Sequence, residues 1–261
     1  IILYSGPYYN LFKIPILSKI YDVLFTESID RTMNKILTKS NLATKYLSSK
    51  GYHNVKTIGV GQDISRFNEE QEVQNKTSEI IKYMKKRRTL LTVGSIDDRK
   101  NFPYTLRIFR TLLGQDDNYQ LLVIGDGDRR YVNRHLNKLP SKIKNKIKFV
   151  GKIKNQQLQF IYPYAHAFLL PSKKEIFGMV LLEAMYFKAP VISSYNGGST
   201  TMIKKNENGF ICNINIEDIS HWVSLIVKLN DTYLHDKIVN NAHNTIDQSF
   251  TWDALVDSFL Q

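Results

Sequence analysis

The chain has 261 residues, of which 43% are hydrophobic, 11% aromatic and 23% charged. These proportions exclude a disordered, collagen-like or low-complexity polypeptide, and at about 150 residues per domain the length fits one large domain or one domain plus part of another. Lys and Arg number 36 against 24 Asp and Glu, and the net charge of +12 points to anionic partners: nucleic acid, phosphorylated ligands or an acidic membrane surface.

Cys212 is the single cysteine, which rules out an intrachain disulfide framework and a cysteine-based zinc site and fits a reducing compartment. No apolar run reaches the roughly 18 residues of a spanning helix, and neither a signal peptide nor a membrane span is expected. Ten of the basic residues fall between Arg129 and Lys154 with no acidic residue among them, and Lys82, Lys85, Lys86, Arg87 and Arg88 form a second cluster. No aromatic-rich binding module accompanies this charge, so a solvated, lysine-rich surface is favoured over a nucleic-acid patch. The histidines do not gather at metal-ligand spacing, and no metal site is expected.

In chain order, IILYS at Ile1 reads as a buried strand, and an opening of this kind without Met reads as part of a longer polypeptide. Val23–Thr26 and Val55–Val60 read as strands around a helix near Leu42–Lys50. From Asp63 to about Asn75 the pattern fades into polar residues, as a linker would. A βαβ series follows: LLTVGS, then a helix over Phe102–Leu113; YQLLVIGDG, then Arg129–Leu139; IKFVG, then Gln156–Tyr164; AFLLPS, then Gly178–Lys188; PVISS, then Thr200–Lys204. The apolar runs are continuous rather than alternating, as in parallel strands covered on both faces. After GFICN, a helix is expected to bury Ile219, Trp222, Val223, Ile226 and Leu229, and a last helical stretch runs from Leu234 to Leu260 with a break near Thr251. Small and polar residues collect at the strand ends, Gly94 and Ser95 among them, along the edge where open α/β sheets bind ligands.

The sharpest constellation is EIFGMVLLEAM. Its helix is apolar around most of its circumference, so Glu183 is placed among apolar neighbours and needs a partner inside the protein or on a ligand. Gly178 lets the first helical turn approach a ligand closely, with free N–H groups that favour a phosphate. Glu175 lies before the helix, eight residues ahead of Glu183, and can face the same cleft from another direction. Arg99 and Lys100 precede the first helix of the series, where two fixed cations would neutralise a diphosphate. Gly125-Asp126-Gly127 lacks the full G-x-G-x-x-G spacing, which argues against a nicotinamide enzyme.

Together TVGSIDDRKN, LLVIGDG, IKFVGKI, AFLLPSKKEIFGMVLLEAM, PVISSYNGG and NGFI resemble, in order and spacing, the nucleotide-sugar-binding half of the GT-B glycosyltransferases, specifically glycosyltransferase family 4. The resemblance implies an α/β, Rossmann-like parallel sheet with helices on both faces and an incomplete N-terminal domain. Residues 1–70 would be the end of the acceptor-side domain with the linker, 71–240 the nucleotide-sugar-binding domain, and 241–261 the C-terminal helix. It implies that Glu175 and Glu183 are the two acids of the family's E-x7-E motif, Glu175 near the transferred sugar and Glu183 on the ribose hydroxyls. Lys100 matches the diphosphate-binding lysine; Ser95 stands where many members carry a phosphate-binding arginine, and whether Arg99, four residues on, replaces it stays open. Backbone groups of Phe177, Gly178, Met179 and Val180 would meet the diphosphate or sugar, and the turn ending at Ile153 would border the base, near Gly94 and Ser95. Ile176 and Lys188 replace glycines common in the family, and Thr201 replaces a frequent glutamate.

The activity so implied is a retaining, metal-independent hexosyltransferase with no cofactor, moving a hexose from a nucleotide diphosphate sugar to a glycan or lipid-linked acceptor in polysaccharide or glycolipid synthesis. The expected location is cytoplasmic, peripheral on the inner face of the plasma membrane, with the basic surface on anionic lipid and no nucleic-acid partner. Two further readings stay open at this point: a nucleotide-sugar-binding fragment without turnover, and a basic nucleic-acid-binding protein.

Overall fold

The computed structural model describes residues 2–7, 15–68 and 72–260. Two parallel sheets organise it. The smaller has the order β1-β2-β3, with β1 at Ile2–Ser5, β2 at Lys35–Thr38 and β3 at Val55–Thr57. α1 (Pro15–Thr32) and α2 (Asn41–Ser49) connect these strands, and α3 (Ser65–Asn68) and α4 (Asn75–Met84) lead on to the second sheet. That sheet has the order β6-β5-β4-β7-β8-β9, built from Arg88–Val93 (β4), Tyr119–Ile124 (β5), Ile147–Phe149 (β6), Ala167–Leu170 (β7), Val191–Ser194 (β8) and Phe210–Cys212 (β9). The strand order reverses between β4 and β7, which makes the space beyond their carboxyl ends the switch point where doubly wound sheets bind ligands.

The helices of this half are α5 (Phe102–Leu113), α6 (Arg129–Leu136), α7 (Ser141–Lys144), α8 (Met179–Tyr186), α9 (Ser199–Met202), α10 (Ile219–Lys228), α11 (Thr232–Ser249) and α12 (Trp252–Leu260). β5, β7 and β8 are buried along their whole length, because successive side chains enter two cores on opposite faces. Leu90, Leu121 and Leu169 join α5 and α10 through Ile108, Phe109 and Trp222. Leu91, Leu122 and Phe168 join α4, α8 and α11 through Ile80, Leu182 and Ile246. The continuous apolar runs in the sequence are the signature of this double cover. The break near Thr251 lies at Phe250 and Thr251, between α11 and α12, and residues 240 and 241 are inside the unbroken α11.

Three elements differ from the sequence reading. Val23–Thr26 lies within α1 rather than in a strand, with Val23 81% and Leu24 63% exposed. Three apolar residues and a threonine fit either state, and the following turn, where Arg31 pairs with Glu27 four residues earlier, extends the helix. The strand of this region is KILT at Lys35–Thr38. IILYS does form a strand from Ile2, but not a buried one: Ile2 and Tyr4 are exposed because β1 is an edge with β2 as its single neighbour in the sheet. The stretch Gln156–Tyr164 forms two 3-10 helices, Asn155–Phe160 and Tyr162–Tyr164, since Pro163 cannot donate the bond an α-helix would need there.

Candidate active site

The turns after β4, β5 and β6 are stitched backbone to backbone. Gly94 N–H donates to the Ile124 carbonyl at 2.9 Å, Ile96 N–H to Asp126 at 2.8 Å and Gly125 N–H to Gly151 at 3.0 Å. A Cβ on Gly125 would stand 1.8 Å from the Gly94 carbonyl oxygen, so this glycine serves the close approach of two turns. Beside them opens a cleft of about 380 Å³ whose lining includes Gly94, Ser95, Ile153, Asn155 and Val180. The structure thus brings Gly94, Ser95, Ile153 and Val180 to one concavity.

A second group gathers at the switch point. Lys100 Nζ donates to Glu175 Oε2 at 2.6 Å, and Arg99 donates to the same oxygen at 3.1 Å and to the Lys174 carbonyl at 3.4 Å. Lys100 and Glu175 are 13% and 12% exposed, whereas Arg99 is 47% exposed. The first two therefore form a pair largely withdrawn from water, and Arg99 reaches it from the solvent side. Asp97 shapes the turn that presents them, accepting from Lys100 N–H at 2.7 Å and from the Ser95 hydroxyl at 2.7 Å. Burial alone would raise the Asp97 carboxyl; the two donors, together with the charges of Arg99 and Lys100, outweigh it and hold the group below its ordinary range.

Gly178 sits between these two groups at φ +80°, where a Cβ would meet Glu175 Cγ at 3.0 Å. This left-handed turn opens α8, whose first N–H groups lack intrahelical partners. Phe177 is buried and Met179 is 37% exposed at the mouth of the turn. The segment is held from behind by the paired glycines of PVISSYNGG. A Cβ on Gly197 would lie 2.0 Å from the Ile176 carbonyl oxygen, and one on Gly198 would lie 1.6 Å from that of Phe177. Gly197 N–H also donates to the Glu175 carbonyl at 3.0 Å.

Glu183 lies elsewhere, 5% exposed on the buried side of α8. Asn155 Nδ2 donates to Oε1 at 3.1 Å and the Tyr162 hydroxyl to Oε2 at 3.1 Å. Burial pushes the carboxyl up, against the pull of these two donors and the positive charge of Arg66. Sequence reasoning did not name Asn155, Tyr162 or Asp97. The requirement that a buried carboxylate find donors pointed to such residues, but nothing local to Glu183 shows which ones fold back onto it. Ser95, whose hydroxyl is engaged by Asp97, lies at the cleft, and Thr201 accepts a hydrogen bond from Asn41 N–H at 2.9 Å, linking α9 to α2. Lys188 has φ +60°, a left-handed backbone that glycine adopts more readily.

The sequence model of the family Glycosyl transferases group 1 matches residues 73–245. An uncharacterized glycosyltransferase of Methanocaldococcus jannaschii is 31% identical over 166 residues, covering 63% of this chain and 41% of that protein. An alpha-1,3/1,6-mannosyltransferase of Dictyostelium discoideum is 23% identical over 270 residues, covering 93% of this chain and 62% of that protein. The chain thus spans less than two thirds of the length of these relatives. Among solved structures, Anabaena HepE in complex with UDP is similar in fold, with a TM-score of 0.80 at 17% identity over 99% of this chain and 70% of that one.

Proposed function

The chain belongs to the group 1 glycosyl transferases with the GT-B architecture, and from that premise we propose that it forms the donor side of a retaining, metal-independent hexosyltransferase of family 4. The donor is a nucleotide diphosphate hexose and the acceptor a glycan or lipid-linked glycan, in polysaccharide or glycolipid assembly. The observation that carries this reading is the cluster of Lys100, Arg99 and Glu175 beside the Gly178 turn at the switch point of the large sheet.

In this reading the base and ribose occupy the cleft along Gly94, Ser95, Ile153 and Val180. The diphosphate then meets Lys100, Arg99 and the first N–H groups of α8. Two cations against Glu175 and Asp97 leave the cluster close to neutral at rest, and Lys100 and Arg99, once drawn from Glu175 by a phosphate, offset the charge that grows on a departing nucleotide diphosphate. A phosphate that takes over Lys100 and Arg99 also releases Glu175 from both, leaving its carboxylate to accept hydroxyls of the hexose. Glu183 with Asn155 backs the nucleoside end. Catalysis then rests on positioning and leaving-group stabilisation. No helix among the described residues is long and apolar enough to cross a membrane, and we place the protein in the cytoplasm, peripheral on anionic lipid of the plasma membrane.

Calorimetric titration of UDP, GDP and their hexose conjugates tests the reading. One nucleotide series should bind, and Lys100→Ala should weaken it by about 10- to 100-fold, the equivalent of losing one charge-assisted hydrogen bond. Folded protein that binds none of them, or binds equally well without Lys100, overturns it.

A further inference from the structure

Asn155 lines the cleft beside Gly94, Ser95, Ile153 and Val180, whereas Glu183 and Tyr162 are withdrawn from it, 5% and 0% exposed. The three side chains form a line from the cleft into the core. Asn155 Nδ2 donates to Glu183 Oε1 at 3.1 Å, and the Tyr162 hydroxyl donates to Oε2 at 3.1 Å. Tyr162 is locked in that orientation, because its ring stacks on Phe187 at 6.2 Å with 6° between the planes and meets Phe168 edge-on at 5.9 Å. Phe187 is itself braced by Phe67 at 4.7 Å.

Packing does not explain this arrangement. The neighbours of Glu183 on α8, Leu181, Leu182, Ala184 and Met185, are buried and apolar, and exchanging a buried polar pair for apolar groups of the same shape is often neutral or stabilising. Glu183→Leu with Tyr162→Phe would therefore serve the core as well. What the pair supplies instead is orientation. An Asn amide can turn either its N–H groups or its oxygen to a neighbour. An ionised carboxylate only accepts, so it draws the N–H groups of Asn155 toward itself and sets the oxygen away. That oxygen, Oδ1, has no hydrogen-bond partner among the described residues and is not shut off from solvent. The amide thus keeps an open acceptor and one uncommitted N–H at the wall of the cleft.

An acceptor and a donor on one fixed amide match two adjacent hydroxyls, each of which both donates and accepts. We propose that Asn155 contacts the ribose hydroxyls of the nucleotide, with Glu183 holding its amide and Tyr162 acting as a positioning residue for both. This assignment rests on the reading of the cleft as the nucleoside end of a donor site. It makes Asn155 a determinant of the choice between ribonucleotides and deoxyribonucleotides, because a deoxy form leaves part of the oriented amide without its partner, and an unmet polar group in a binding site is costly.

The test titrates UDP and GDP, each beside its 2′-deoxy form, into the whole chain by calorimetry, with thermal unfolding in parallel. Whichever ribonucleotide binds should bind about tenfold more tightly than its deoxy form. Asn155→Ala should shrink that preference at least about fivefold, and Tyr162→Phe, which keeps the ring stacked on Phe187, about two- to threefold. A merely structural part would weaken both nucleotides alike and leave their ratio unmoved. Tyr162→Phe keeps the test open where Asn155→Ala does not fold. A ribonucleotide that binds with no preference over its deoxy form overturns the proposal while leaving the donor site standing. The same holds for a preference untouched by Asn155→Ala, or by Tyr162→Phe where the first variant does not fold. Folded protein that binds neither UDP nor GDP overturns the donor site and this proposal together.

Discussion

Glu183 and His166 respond to pH in opposite senses, and both responses follow from their surroundings. His166 packs its ring against Tyr119 and donates from Nε2 to the Ile226 carbonyl at 3.0 Å. Burial, aided by the positive charges of His235 and Arg88, lowers it from 6.5 to about 4 despite that hydrogen bond. The folded state therefore refuses a proton that the unfolded chain accepts, so stability is full above pH 6.5 and is lost as pH falls toward 4. The shift corresponds to roughly 3 kcal/mol at the acid end, and His166→Gln should remove most of this loss in urea unfolding followed across that range. Glu183 is raised above its ordinary 4.5 by burial, so its contribution is present below that pH and is lost as pH climbs through the raised value. Glu183→Gln keeps an acceptor for Asn155 and should flatten the decline in stability from pH 4.5 upward. If that segment of the profile is unchanged, Glu183 is not the group responsible.

Among the elements, α8 shows how a local sequence can be legible while its supports are not. Its apolar circumference and leading Gly178 mark a buried helix with an open first turn, and the structure has both. The far end is less comfortable. Lys188 is held at φ +60°, a conformation that costs a residue with a Cβ about 1–2 kcal/mol. Part of that is offset by the greater unfolded-state freedom of glycine. Lys188→Gly should therefore stabilise the protein by about 0.5–1 kcal/mol in chemical denaturation; a loss of stability would mean that the lysine side chain does more than tolerate its backbone. At the near end the expectation reverses. Gly198→Ala would press a Cβ to within 1.6 Å of the Phe177 carbonyl oxygen, backbone against backbone, and should cost about 3 kcal/mol or more in thermal unfolding while displacing the Glu175 loop. The double glycine was visible in the sequence, but which segment it touches depends on β7 and β8 being neighbours. β9 went unread for a different reason: three residues, FIC, are too few to show a period.

At the scale of the whole molecule, contiguous signals are legible in the residues themselves, whereas the direct contacts between distant residues are not. The strand–helix alternation and the residues of a single motif could be read because each lies within one stretch of chain, whereas the partners of Glu183 and the meeting of Glu175 with Lys100, 75 residues apart, required the sheet order. The basic surface obeys the same distinction. The run from Arg129 to Lys154 has no acid in sequence, yet in space Lys142 and Lys146 face Asp117 at 3.6 and 2.9 Å, and Lys152 faces Asp126 at 3.5 Å. Of the three exposed arginines of α6, Arg129, Arg130 and Arg134, none has such a carboxylate among the described residues. If the protein rests on anionic lipid, these arginines carry more of the attraction than the paired lysines, since a basic residue close to such a surface contributes about 1 kcal/mol. Reversing two of them, as Arg130→Glu with Arg134→Glu, should lower partitioning onto phosphatidylserine-containing vesicles by at least about 30-fold at low salt, and Lys146→Glu should lower it less. Added salt should erase the difference as screening shortens the reach of the surface charge. Partitioning that ignores both the salt and the α6 reversal would assign membrane contact to some other face of the molecule.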